Sequence, residues 1–159
     1  VGQADPYCEY LNKLFFETGN ELNIDIQNGG TYICIEGPRF STRAESKMFR
    51  QWGGDIVGMT TYPEVVLSAE KEICYCCIAM ITDLDVWAGK CPECGIVEFD
   101  LKCEKCGRIV NKLSVNVPEV LETMAKSTEN LKKLIELTIQ KIDIEKDCTC
   151  HHSLTDALL

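Results

Sequence analysis

The spacing of apolar and polar positions divides the chain into a series of predicted helices and strands. Leu11, Leu14, Phe15 and Leu22 recur roughly at helical spacing behind Asp5-Pro6, an N-cap followed by proline at the first helical position, so a helix is expected over about residues 6–20. Ile24 and Ile26 alternate with polar neighbours, Asn28-Gly29-Gly30 offers a turn, and residues 31–35 have strand composition, which together predict a hairpin. Thr42 and Glu45 stand at capping-box spacing before a helix that Gly53-Gly54 would end, and residues 55–59 read as a short buried strand. Thr61 and Glu64 repeat the capping spacing for a helix to about Lys71, and residues 73–81 form an apolar run suited to a central strand. Val117, Val120, Leu121, Met124, Leu131, Leu134, Ile135 and Ile142 stripe a long amphipathic helix. Strands alternating with helices predict an α/β domain.

Composition narrows the functional classes. With 159 residues and 45% hydrophobic content, one domain with a core of ordinary size is expected over residues 1–159. A net charge of −9 argues against a phosphate-backbone binder, which needs clustered Lys and Arg, so nucleic acid is not an expected partner. No run reaches the ~18 consecutive apolar residues of a membrane span and no basic, then apolar, signal segment is present, which predicts a soluble cytoplasmic protein without a membrane partner.

Eleven cysteines are the compositional anomaly. Cys91, Cys94, Cys103 and Cys106 make two Cys-x2-Cys-Gly turns, each able to direct two thiolates at one ion, and four thiolates complete a tetrahedral structural zinc site. The eight-residue spacer is shorter than the ~15 to 20 of the common ribbon pattern but long enough for a small hairpin over 90–108. Iron and a pair of disulfides are the alternatives. With four thiolates no coordination position stays open, so a catalytic role for this metal is not expected.

Three polar turns between residues 36 and 87 carry the candidate chemistry. At residues 59–64, a helix start beside Thr60 and Thr61 offers unpaired N–H groups, the positive dipole end and two hydroxyls to an anion, although both threonines serve equally well as caps. Asp83 and Asp85 follow an apolar run and, two apart on extended chain, face the same way; the choice is between a solvated turn and a carboxyl that donates a proton to a leaving group.

Taken together, Glu36-Gly37-Pro38-Arg39-Phe40-Ser41, Met59-Thr60-Thr61-Tyr62-Pro63-Glu64 and Thr82-Asp83-Leu84-Asp85-Val86-Trp87 closely resemble the methylthioadenosine phosphorylases. The resemblance implies a nucleoside phosphorylase-like mixed sheet flanked by helices, assembled as a homotrimer or a multiple of one. It implies cleavage of methylthioadenosine by phosphate, the co-substrate, to adenine and methylthioribose 1-phosphate, with no organic cofactor. In that family's terms Phe40 packs on the purine, Ser41 contacts the base, Met59 lies under the ribose and Thr60 binds phosphate. Asp83 and Asp85 recognise the adenine amino group, and Asp83 protonates or hydrogen-bonds the departing base. Val115 and Val117 resemble the apolar wall around the methylthio group, with helix-entry core as the other reading. The paired Asp favours a 6-aminopurine, which leaves a broader purine nucleoside phosphorylase as an alternative.

Two departures from the family qualify these expectations. Members carry an upstream half with a Gly-rich phosphate loop and an Arg-His pair that has no counterpart here, so this chain alone is expected not to turn over. A non-catalytic zinc-binding interaction or regulatory subunit is the competing class. The Cys91–Cys106 segment looks like an insertion, and its position after Asp85 suggests that it borders the substrate pocket. Cys148-Thr149-Cys150 resembles a Cys-x-Cys of some thermophilic members, where disulfide exchange or repair is implied; His151 and His152 suggest a competing weak metal site, and an ordinary flexible tail is the third reading. The same resemblance makes Cys8–Cys74 a candidate disulfide, and Cys34, Cys76 and Cys77 read as buried apolar residues.

Overall fold

The computed structural model describes residues 1–98, 102–112, 117–155 and 157. The chain divides into two compact units, the first made of Val1–Gly30, Met59–Met80 and Ala125–Leu159, the second of Thr31–Gly58 and Ile81–Met124.

In the first unit, α1 spans Glu9–Glu21, α3 Thr61–Ala69, and α4, which runs Val117–Lys141, contributes its residues from Ala125 onward. The predicted first helix and long last helix are both present. Thr18 and Gly19 of α1 and Leu134 and Thr138 of α4 are buried. Lys141 pairs with Glu21 and the Asp143 amide donates to Tyr10 Oη at 2.8 Å, tying the ends of the two helices together. The hairpin expected from Ile24 and Ile26 does not form. Instead α1 ends on Asn23 in the left-handed region (φ 53°), the Ile24 amide bonds back to Gly19 O, and the Ile26 side chain lies on Gly19, where a Cβ would come within 2.8 Å. The apolar alternation at 24–26 is therefore spent on covering the helix end.

Residues 73–80 also depart from expectation. They form no regular strand and remain largely half-buried, with Ile73 58% exposed. A ladder needs neighbours, and among the described residues no strand pairs with this run; the Cys8 amide donates to Tyr75 O at 2.8 Å and the Ile73 amide to Ser68 O at 2.9 Å, which are isolated bonds and not a ladder.

The second unit contains a βαβ segment: β1 (Tyr32–Cys34), α2 (Arg43–Gln51) and β2 (Ile56–Gly58), with β1 and β2 parallel in the register Tyr32–Ile56, Ile33–Val57, Cys34–Gly58. Parallel pairing requires a crossover, and α2 supplies it. The capping box read from Thr42 and Glu45 is present in both directions, the Glu45 amide donating to Thr42 Oγ1 and the Thr42 amide to Glu45 Oε2. Gly53 (φ 82°) ends the helix as expected, and the Gly54 amide bonds to Phe49 O. A Cβ on Gly54 would meet Ile33 Cγ1 at 2.6 Å and Phe49 O at 3.0 Å. Gly54→Ala is therefore expected to destabilise this unit by about 1–3 kcal/mol through overpacking, seen as a lower urea midpoint with unchanged slope.

The same unit holds a three-stranded antiparallel sheet, β4–β3–β5, from β3 (Gly89–Lys90), β4 (Val97–Glu98) and β5 (Asn111–Lys112). The strands bracket the Cys-x2-Cys segment more widely than the hairpin boundaries 90–108 expected from spacing. The start of α4 leaves Val117 (60%), Leu121 (61%) and Met124 (38%) exposed, so this part of the predicted apolar stripe is not core within the described residues.

Candidate functional site

The turn before α2 brings Ser41 to Asp85. Ser41 Oγ lies 3.3 Å from Asp85 Oδ1 and 3.0 Å from Ser46 Oγ, and Ser46 is buried on α2. Asp85 Oδ1 also accepts from the Val86 amide at 2.7 Å, which fixes the half-buried carboxylate from its own backbone. Asp83 is exposed and accepts from Thr82 Oγ1 at 2.7 Å. Phe40, 67% exposed, presents its ring on the same turn as Ser41. Beyond the Asp pair, the Arg50 guanidinium of α2 sits 4.2 Å over the Trp87 ring. Sequence reasoning passed over both Ser46 and Arg50. A serine and an arginine four apart on a predicted helix look like solvent-face residues, and nothing local marks them as facing the Asp85 segment.

Arg39 grips the N-terminus of α2 through a two-pronged contact with Glu45, Nη1–Oε2 at 2.9 Å and Nη2–Oε1 at 2.7 Å. The Arg39 hydrogen bond, followed by those from Thr42, holds the Glu45 carboxyl at about 2, below its ordinary 4.5. Because the folded value is depressed, this contribution is complete above pH ~4.5 and is lost as pH falls towards 2. A carbon-detected NMR titration of Glu45 is expected to give a midpoint near 2 that Arg39→Gln raises; a midpoint near 4.5 in the unsubstituted chain would contradict the contact.

Met59 and Thr60 belong to the first unit, ahead of α3. The second capping box is corrected here. Thr61 is buried with its hydroxyl 3.0 Å from Tyr7 Oη, while Glu64 accepts from Tyr75 Oη at 2.8 Å rather than turning back to the helix start. Tyr62 is extended (φ −102°, ψ 133°), as a residue before proline tends to be, so regular helix begins at Pro63. Thr60 makes no side-chain cap and is exposed. Its hydroxyl is thus not committed to capping. Val117 stands at the first position of α4, and Val115 lies outside the described residues.

The cysteines gather in two clusters. Cys91, Cys94, Cys103 and Cys106 place all four sulfurs within 4.8 Å of one another. Two turns of one design do this: the amides of Cys91 and Cys103 bond to Ile96 O and Arg108 O, and those of Gly95 (φ 68°) and Gly107 (φ 70°) bond back to Cys91 O and Cys103 O. The Cys94 amide also points at Cys91 Sγ, 3.4 Å away, and Arg108 bridges to Glu93 at 3.1 Å. The local apolar core is Cys91, Cys103 and Val110 with Cys94 against it. Crowded sulfurs cannot all carry charge unaided: the Cys94 amide draws the Cys91 thiol down to about 7, while hydrogen bonding to Cys106 pushes Cys94 up to about 12. A divalent cation reverses that logic by deprotonating every ligand.

The second cluster joins Cys8, Cys74, Cys148 and Cys150, again with all sulfurs within 4.8 Å of one another. The Cys8–Cys74 disulfide expectation is corrected, since every cysteine is a free thiol, and even the 3.2 Å between Cys74 and Cys148 sulfurs is far longer than an S–S bond of ~2.05 Å. Cys34 is exposed and Cys76 and Cys77 are half-buried, so none of the three is the fully buried apolar residue expected.

Comparison with known proteins gives these features a context. The Phosphorylase superfamily profile matches residues 1–139. S-methyl-5'-thioadenosine phosphorylases of Thermofilum pendens and Saccharolobus solfataricus are 42% and 44% identical over the whole chain, which covers 52% of each. Among solved structures, a methylthioadenosine phosphorylase from an antarctic soil metagenomic library superimposes with a TM-score of 0.78 at 31% identity, over 100% of this chain and 50% of that one. The enzyme from Schistosoma mansoni in complex with adenine gives 0.69 at 26%, over 99% and 52%. The chain thus spans about half the length of the relatives it matches. Among the described residues, no helix is long and apolar enough to cross a membrane. With a βαβ segment, flanking helices and a profile match over most of its length, the chain belongs to the phosphorylase superfamily, in the α/β class.

Proposed function

We propose that this chain carries the base- and ribose-recognition half of a methylthioadenosine phosphorylase, a pentosyltransferase that uses phosphate to release adenine. The observation that carries the reading is the Ser41–Asp85 contact in a chain 44% identical throughout to an S-methyl-5'-thioadenosine phosphorylase. In the reaction, a phosphate oxygen attacks the anomeric carbon as the bond to the purine nitrogen breaks. The sugar gains cationic character and the base gathers negative charge.

Asp83, exposed beside the held Asp85, donates a proton or hydrogen bond to the imidazole-ring nitrogen of the leaving base. Asp85, oriented by Ser41 and the Val86 amide, accepts from the 6-amino group. Phe40 packs on the purine, Met59 lies under the ribose, and Val115 and Val117 border the methylthio group. Thr60, free of capping duty, donates to phosphate. The phosphate dianion in turn stabilises the cationic sugar. The active assembly is a homotrimer or a multiple of one.

The half of the relatives that this chain does not span supplies the rest of the phosphate site and strands that flank residues 73–81. That run's lack of a pairing strand among the described residues supports this division of labour. The Cys91–Cys106 ribbon, residues 90–108, holds a structural zinc, favoured by four sulfurs in one cage and two matching turns.

The test is phosphate-dependent adenine release. None is expected from the purified chain, and turnover is expected after co-expression with the corresponding upstream half of a close relative. Release by the chain alone would refute the need for a second half. An assembled pair that binds but does not cleave methylthioadenosine would refute the enzyme and favour a regulatory subunit.

A further inference from the structure

We propose that Cys8, Cys74, Cys148 and Cys150 form a second tetrathiolate metal site, taking zinc or a similarly thiophilic divalent cation, that fastens the C-terminal tail to the start of α1.

Three segments remote in sequence build the cluster, each held by contacts that do not involve sulfur. Cys8, the N-cap residue of α1, has an extended backbone (φ −67°, ψ 112°) and donates its amide to Tyr75 O at 2.8 Å, which sets it beside the chain at Cys74. The rings of Tyr7 and Tyr75 stack at 6.2 Å, reinforcing that register. From the other side comes the tail. Ser153 Oγ donates to Ala69 O at 2.5 Å and the Leu154 amide to Glu72 Oε1 at 3.3 Å, docking residues directly after Cys150 on the end of α3. A single 3-10 turn, Thr149–His152, then carries Cys150, and extended Cys148 (φ −147°, ψ 161°) precedes it.

The arrangement is a cage rather than two separate pairs. Each sulfur is within 4.8 Å of the other three, as the sulfurs of the Cys91 cluster also are, and a tetrahedral zinc with ~2.3 Å bonds asks for sulfur separations of about 3.8 Å. Cys8 is buried and the other three are half-buried, so the site is shielded yet reachable by an ion. His151 Nε2 lies 3.6 Å from Cys74 Sγ, suitably placed to donate N–H to a ligand sulfur from outside the coordination shell. Four thiols give up their protons as the dication binds, leaving a closed site of net charge −2 with no open coordination position. Its role is therefore structural. No oxidant is needed, which separates this assignment chemically from disulfide formation.

The experiment is metal content of the reduced 159-residue chain after loading with Zn²⁺ and gel filtration, with Co²⁺ as a spectroscopic probe. Two metals per chain are expected. Cys150→Ser removes one and halves the thiolate-to-Co²⁺ charge-transfer intensity. Cys103→Ser removes the other and leaves the tail site filled, so the two sites fail independently. Cys34→Ser, at an exposed cysteine outside both clusters, leaves both sites filled. If Cys74→Ser does not fold, Cys150→Ser on the tail still decides the matter. Metal content that Cys150→Ser and Cys148→Ser leave unchanged would overturn the proposal. So would an unreduced chain purified from the cell that is lighter by the hydrogens two disulfides remove, with those disulfides mapped to these four positions.

Discussion

Asp83→Asn, introduced into the assembled two-half enzyme, is expected to lower adenine release by about 100- to 10,000-fold, the usual range for loss of a general acid. The substitution keeps size, shape and a hydrogen-bond donor but cannot transfer a proton, so the loss falls on kcat. Asp85→Asn is expected to behave differently. Asp85 is held by Ser41 and its own backbone neighbour, and its assigned task is to recognise the amino group. An amide there keeps one acceptor oxygen, so KM rises more than kcat falls. The contrast gives the test its force: equal effects on kcat and KM at both positions, or less than a two-fold change for Asp83→Asn, would remove Asp83 from the chemistry. Ser41→Ala is a third point on the same line, since it frees Asp85 from the turn before α2 and should follow the Asp85 pattern.

Cys103→Ser, or removal of metal by a strong chelator, is expected to unfold the three-stranded sheet of β3, β4 and β5 as a unit. The reason is the poverty of its core. Cys91, Cys103 and Val110, with Cys94 beside them, constitute the buried cluster, and strands of two residues each cannot hold a sheet without further support. Structural zinc supplies ~10–16 kcal/mol in small peptide sites, far more than so small an apolar cluster can. Hydrogen exchange should show protection at the Cys91, Gly95, Cys103 and Gly107 amides collapsing together while α2 keeps its own. Retained protection after verified metal loss would show that the strands stand by themselves.

Sequence signals are legible where the physics is local. Thr42 and Glu45 satisfy the first amides of α2 without help from elsewhere, so their spacing alone reveals the helix start. The same spacing misled at Thr61 and Glu64, because Pro63 holds Tyr62 extended and Tyr7 and Tyr75 compete for the two side chains. Helix ends show a similar limit. Gly53 advertises its left-handed conformation, but α1 and α3 terminate equally sharply on Asn23 and Glu72, and nothing about Glu72 announces φ 55°. Strand composition at Tyr32 and Ile33 was legible, whereas their partner was not. Alternation fixes which face is apolar and says nothing of whether the neighbour is Ile24 or, as found, Ile56.

The candidate site divides along the same line. The Cys-x2-Cys turns declare themselves because their ligands lie within one short segment, while the Cys8–Cys150 cage joins residues at opposite ends of the chain and becomes visible only when folded. Asp85 is marked both by its place after an apolar run and by the family resemblance, Ser41 by the resemblance alone, and their mutual contact is visible only in the structure.

Residues 73–80 bear on how the protein must be handled. A run of apolar residues whose amides and carbonyls lack a pairing strand among the described residues is a template for any extended segment that reaches it first. Copies of the chain can offer one another such a segment, so association between copies is expected to grow with protein concentration, which light scattering over a dilution series would show.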